Sequence, residues 1–314
     1  MNADSRDPFE MRAADWYQKP LEYKFIIYEA RPDVHIVRIT LNRPEVMNAM
    51  SHALRAELFH ALKVAERNNE INVIIIRGAG RCFSAGYDLA GGLAGAEPDL
   101  GSQYTDTCFY THWARYVIQQ WWQLWELSKV IIAQTHGHCL AGASELAAMC
   151  DLLVTTPDCQ FGYPPMRSMG VDMLWFPWLL PMRKAHEMAF TGDTITGEDA
   201  FRFGMANYCI PQDLIDEFTE LFAKRVALMP WQMATQYKRA LKKAYELQGI
   251  RIAVETSALF AYHRAMDSDY AKQMNDLFGK VPLKDYLKTR DARYQENRTE
   301  LENVLRKSKE ERDK

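Results

Sequence analysis

The stretch Ala133–Leu152 reads AQTHGHCLAGASELAAMCDL. Small residues interrupt an apolar run, and one carboxylate, Glu145, stands where a buried helix should begin. A glycine-rich bend feeding a helix N-terminus gathers backbone N–H groups that have no intrahelical acceptor. A carboxylate beside such donors has the parts for enolate chemistry. Glycine and alanine serve packing equally well, because they let a helix approach a strand closely. Taken alone, the run supports either reading.

Working outward, VIIAQTHG (Val130–Gly137) is a continuous apolar strand entering this bend, and DLLVTT (Asp151–Thr156) supplies another directly after the helix. VIIIRGAG (Val73–Gly80) repeats the pattern, with the helix-like WARYVIQQWWQLWELS between it and Val130. Strands apolar on both faces, alternating with helices, predict a parallel α/β architecture. Nearer the N-terminus, YKFIIYEA and VHIVRITLNRP alternate in polarity around Arg31-Pro32-Asp33 and predict a β-hairpin. Ser51 to Asn68 predicts an amphipathic helix carrying Leu54, Leu58, Leu62 and Val64, with Ser51 as its N-cap. Beyond about residue 170 strand signals nearly vanish and helical patterns take over. The charged tail from Lys284 reads as a solvated or partner-packed helix.

Composition narrows the classes. The chain has 314 residues, of which 48% are hydrophobic and 25% charged, enough for one large domain or one domain with an appendage. Lys plus Arg number 38 against 41 Asp plus Glu, so no global field favours nucleic acid or an anionic membrane. Neither is expected as a partner. Cys82, Cys108, Cys139, Cys150, Cys159 and Cys209 show no CxxC pairing and read as reduced thiols in a cytoplasmic protein. No segment has the length of a membrane span, and the N-terminus lacks the apolar core of a signal peptide. His136, His138 and Cys139 look superficially like metal ligands. Alternate residues of a strand need not converge with a third ligand, and no metal is expected.

RCFSAGYDLAGG (Arg81–Gly92) follows the strand Val73–Gly80 at its C-terminal end, where open α/β sheets place ligand sites. No Gly-Lys-Ser/Thr follows, and no GxGxxG stands in register. The glycines therefore bring backbone close to something other than a nucleotide triphosphate.

Together, SAGYDL and AGASELAAMCDLLVTTPDCQFGYP resemble the crotonase (enoyl-CoA hydratase/isomerase) superfamily. LNRPEVMNAM, FTGDTITGEDAFRFGMANYCIP and KDYLKTRDARYQE match further landmarks, so the resemblance spans about residues 22–295. It implies an α/β crotonase-like ββα spiral core with a helical C-terminal trimerisation region. On that reading residues 1–20 are an extension, 21–210 the core binding acyl-CoA, 211–295 the helical oligomerisation region and 296–314 a charged extension. A homotrimer or homohexamer is implied. Coenzyme A enters with the acyl-CoA substrate, and no separate cofactor is expected.

The resemblance also assigns site residues. The backbone N–H groups of Tyr87 and Gly142 would form the oxyanion hole for the thioester carbonyl, and Glu145 matches the first catalytic glutamate of the hydratases. The second glutamate is missing: the segment reads Phe161-Gly162-Tyr163-Pro164-Pro165. Some family members acting on ring or ketone substrates place an aspartate just after the following glycine, which makes Asp172 a candidate second acid/base or a plain loop residue. Tyr110, His112, Trp113, Tyr163 and Pro165 are expected to line the acyl pocket, with Tyr110 or His112 as stand-ins for the missing carboxylate. The density of aromatic residues around them, Trp121 included, also suits helix packing. The expected reaction is hydration or dehydration of an enoyl-CoA, with a bulky or cyclic acyl group if the aromatic side chains face the pocket. Isomerisation, C–C bond hydrolysis, decarboxylation, or binding without catalysis of an acyl-CoA, a protein or RNA are the alternatives.

Overall fold

The computed structural model describes residues 22–89, 117–171, 173–265 and 268–312. The chain enters as the expected hairpin, β1 (Ile26–Arg31) antiparallel to β2 (Ile36–Leu41), turning through a 3-10 turn at Pro32–Val34. Helix α1 (His52–Arg67) begins where Ser51 Oγ accepts the Leu54 N–H at 3.2 Å, as an N-cap should. Strand β3 (Val73–Gly78), helix α2 (117–126), strands β4 (Val130–Thr135) and β5 (His138–Leu140), and helix α3 (Gly142–Met149) follow. Next come β6 (Leu152–Thr155), β7 (Gln160–Gly162), a 3-10 turn at Pro164–Arg167, and helices α4 (Phe176–Leu179) and α5 (Met182–Thr191). Strand β8 (Ile195–Thr196), helix α6 (Gly197–Arg202) and strand β9 (Tyr208–Cys209) lead to helices α7 (Ile215–Ala227), α8 (Trp231–Leu247), α9 (Ile250–Ala265), α10 (Asp269–Leu277) and α11 (Leu283–Arg312).

Two sheets result. The larger runs β1-β2-β3-β4-β6-β9 and is parallel from β2 onward; the smaller runs β5-β7-β8. Strand β3 shows why Val73–Ile76 are apolar without a break. Ile74 and Ile76 face a core shared with Leu54, Leu58 and Leu62 of α1 and Leu146 of α3, whereas Val73 and Ile75 face a second core closed by Ile215, Ala223 and Ala227 of α7. Where helices cover both faces no side is left for polar residues; Arg77, near the strand's C-terminal end, is half-buried and pairs with Asp216 at 3.0 Å. Beyond residue 170 the chain contains two strands that periodicity did not indicate, β8 and β9. Each is two residues long, too short to show alternation, and each extends the edge of an existing sheet.

No helix among the described residues is long and apolar enough to cross a membrane. The five described cysteines are all free.

Candidate active site

The loops leaving the C-terminal ends of β3 and β4 pair with each other. Phe83 N–H donates to His136 O at 2.8 Å, Ser84 N–H to His138 O at 2.9 Å, and Leu140 N–H back to Ser84 O at 3.2 Å. This short ladder brings SAGYDL against the bend before α3. At Gly86, with φ of 100°, a Cβ would fall 2.6 Å from Leu140 O and 3.4 Å from the Gly142 nitrogen. Only glycine allows the two chains this close, and the peptide units preceding Tyr87 and Gly142 become neighbours.

The bend itself turns on alanine, although the sequence suggested glycine. Ala141 has φ 49° and ψ −126°, a conformation that a residue with a Cβ holds at a cost of about 1–3 kcal/mol. Its surroundings over-determine it. Ala141 N–H donates to Gly162 O at 2.8 Å, and its carbonyl accepts from Ser144 Oγ at 2.7 Å and from the Ser144 and Glu145 amides. Trp175 Nε1 in turn donates to Ser144 Oγ at 3.3 Å. Across the site, the 43–50 loop adds two more non-glycine residues with positive φ, Met47 and Asn48. Buried Asn48 donates through Nδ2 to Ala79 O (2.8 Å) and Cys82 O (2.9 Å), and its carbonyl accepts from Ser84 Oγ. Met50 N–H donates to Gly86 O at 2.8 Å. Backbone strain thus borders the site on both sides.

Glu145, fourth residue of α3, has no solvent exposure. The Tyr87 hydroxyl, 58 residues away in sequence, donates to its Oε2. Trp121 Nε1 lies 3.0 Å from the same Oε2 and 3.1 Å from Tyr87 Oη, so the indole N–H is shared between them. The Tyr87 ring reaches the carboxylate by crossing Gly142: a Cβ built there would lie 2.6 and 2.7 Å from the two ring Cε atoms, and closer still to Cζ. The buried guanidinium of Arg55 stands 5.5 Å from the ring centre. Gly142 opens α3, where its N–H has no intrahelical acceptor and the helix dipole favours negative charge. The adjoining Cys139 is not a competing nucleophile, since burial pushes its thiol well above the ordinary range.

Glu145, Tyr87 and Gly142 therefore come together, through the Tyr87 side chain. Tyr163 is buried at the end of β7, and Pro165 lies in the 3-10 turn after it. Asp172, Tyr110, His112 and Trp113 lie outside the described residues. Sequence reasoning foresaw Tyr87 only as a backbone donor and Trp121 only as one of a group of aromatic residues. It passed over Arg55, Asn48 and Ser144. Asn48 had a readable sign, because asparagine is among the few residues that tolerate left-handed backbone.

The family model described as enoyl-CoA hydratase/isomerase matches residues 33–297. The chain belongs to this family. A Mycobacterium tuberculosis protein whose name, EchA13, places it among enoyl-CoA hydratases is 31% identical over 253 residues, covering 76% of this chain and 80% of that protein. The 2,3-dehydroadipyl-CoA hydratase of Escherichia coli is 29% identical over 227 residues, covering 68% and 80%. Among solved structures, an enoyl-CoA hydratase/isomerase from Xanthobacter autotrophicus Py2 superposes with a TM-score of 0.76 at 29% identity, covering 86% of this chain and 98% of that one. An enoyl-CoA hydratase from Mycobacterium smegmatis gives 0.76 at 28% identity, covering 86% and 94%. The two sheets and C-terminal helices described above are the crotonase fold of this family.

Proposed function

We propose that the chain is an acyl-CoA enzyme that stabilises a thioester enolate, adding water to or removing it from an enoyl-CoA with Glu145 as acid/base. The observation that carries this reading is the buried Glu145 carboxylate held by Tyr87 and Trp121 three residues after Gly142, the first residue of α3. The Tyr87 and Gly142 amides are the proposed oxyanion hole. One donor of that kind is worth about 3 kcal/mol in a transition state. Coenzyme A arrives with the substrate.

Isomerisation, C–C bond hydrolysis or decarboxylation on the same scaffold is the second reading. Pro165, which cannot transfer a proton, stands where the resemblance leads one to expect the second glutamate, and this favours it. Asp172 remains the proposed second acid/base by position, and Tyr110, His112, Trp113, Tyr163 and Pro165 the proposed pocket lining.

Copies of the chain are proposed to assemble as a trimer or hexamer through the helical C-terminal region. Met233, Tyr237, Leu241 and Tyr245 form an exposed apolar stripe along α8, beside a cavity of about 610 Å³ lined by Trp125, Trp178 and Phe222. Light scattering tests the assembly. The free cysteines suit a cytoplasmic setting.

A panel of saturated, unsaturated, cyclic and aromatic acyl-CoAs incubated in deuterium oxide tests the activity by mass spectrometry. Hydration adds the mass of water, and reversible enolisation adds deuterium without it. Glu145→Gln should abolish both while leaving the melting temperature near wild type. A wild-type protein that alters no thioester, or a Glu145→Gln variant as active as wild type, would reject the reading.

A further inference from the structure

Tyr87 occupies the site twice. Its backbone stands at the loop position assigned to the thioester carbonyl, and its phenol lies on Glu145. We infer that the Tyr87 hydroxyl is a catalytic proton donor and acceptor, working with Glu145 in place of a second carboxylate. The inference rests on the acyl-CoA enolate reading above.

Three features set the phenol up for this task. First, the Trp121 Nε1–H, shared between Tyr87 Oη at 3.1 Å and Glu145 Oε2 at 3.0 Å, faces the phenol oxygen as a donor, and the phenolic proton is directed onward to Glu145 Oε2. The path between phenol and carboxylate is already a hydrogen bond, so a proton spent by one is replaced by the other. Second, the ring is held by shape. It lies over Gly142, where no side chain could fit, on a half-buried residue whose loop is pinned by the Met50 N–H to Gly86 O bond. Third, the Arg55 guanidinium, 1% exposed and 5.5 Å from the ring centre, favours the negative charge that builds on the phenol oxygen as its proton leaves. A tyrosine present only to fill space would need none of these; phenylalanine would serve.

The step balances without any further reactant. The oxygen of water bonds to the β-carbon of the enoyl thioester while a water proton passes to the Glu145 carboxylate. The double-bond electrons move onto the thioester as an enolate. The α-carbon takes the proton of Tyr87 Oη, and the Glu145 carboxylic acid restores it to the phenolate. One water is consumed and the protein ends as it began. In an isomerisation the same pair removes a proton at one carbon and returns it at another.

The test compares wild type, Tyr87→Phe and a protein carrying 3-fluorotyrosine at position 87, by turnover and by deuterium exchange on the acyl-CoA panel. Tyr87→Phe should lower kcat by about 10²–10⁴-fold with KM changed by only a few-fold. The fluorotyrosine protein, nearly isosteric, should remain active, with the basic limb of its rate profile moved to lower pH. Tyr87→Phe retaining kcat within about tenfold of an active wild type overturns this inference alone. An unmoved pH profile in the fluorotyrosine protein does the same, even if Tyr87→Phe fails to fold. A wild type that neither converts nor exchanges any thioester overturns the functional reading and this inference with it.

Discussion

Replacing Gly142 with alanine is the sharpest probe of the site, because the added methyl group keeps the proposed N–H donor and collides with one side chain. The new Cβ would sit 2.6–2.7 Å from the Tyr87 Cε atoms, whereas carbon atoms settle at about 3.5–4.0 Å. The ring must therefore move by about 1 Å, carrying its hydroxyl away from Glu145. A displacement of that size in reacting groups costs about 10²-fold in rate. The effect on stability should be modest. Overpacking costs about 1–3 kcal/mol, and alanine returns up to about 1 kcal/mol of helix propensity. Gly142 has no left-handed backbone to be lost. Acyl-CoA turnover together with urea unfolding reads both effects, and a Tyr87→Ala background isolates their cause. With the ring gone, Gly142→Ala should be neutral or stabilising, giving a coupling of about 1–3 kcal/mol between the positions. Equal stability costs in both backgrounds, or full activity in Gly142→Ala, would refute the stacking of Tyr87 over Gly142 as the feature that aims the phenol.

Two further perturbations concern charge. Lys129 is 1% exposed, has its Nζ 4.1 Å from the centre of the Trp231 ring, and is pushed down to about 8 by burial, with Glu66 opposing the shift. Between that value and the ordinary 10.5 the unfolded chain binds more protons, so stability rises with pH across the window; at neutral pH the buried charge costs up to about 3 kcal/mol. Lys129→Met should thus unfold at higher urea than wild type near neutral pH, with the gap closing as pH passes 10.5; a constant gap contradicts the linkage. Asp151 is salt-bridged to Lys238 at 2.7 Å and Lys242 at 2.9 Å; burial alone would raise its pKa, but the two ammonium groups hold it below the usual carboxylate range. Its contribution is present at neutral pH and lost as pH falls through the lowered folded value. Asp151→Asn leaves two ammonium groups without their anion and should cost about 3–5 kcal/mol near neutrality, with a flatter loss of stability in acid. Unfolding curves matching wild type at both pH values would refute this.

What local chemistry could dictate was written in the chain. Continuous β-branched runs at Val73–Ile76 and Val130–Ile132 called for strands covered on both faces, and the cores on either side of Ile74 and Ile75 provide the covers. Ser51 announced the start of α1, and Glu145 the first turn of a buried helix. These features depend on residues within a few positions of one another, so periodicity and capping expose them. The pairs β6–β9 and β7–β8 escaped because two residues carry no period, and because their partners are supplied by sheet edges built far upstream.

The carboxylate and the two glycine-bearing loops, then, belong to the sequence. The direction of the Tyr87 side chain belongs to the tertiary structure. A residue that one dimension offers only as an amide donor becomes, once β3 and β4 lie parallel, a phenol laid across Gly142 onto Glu145 with Trp121 and Arg55 around it. No pattern along the chain encodes that contact, because it depends on the strained bend at Ala141 and on an empty place where a side chain would otherwise stand.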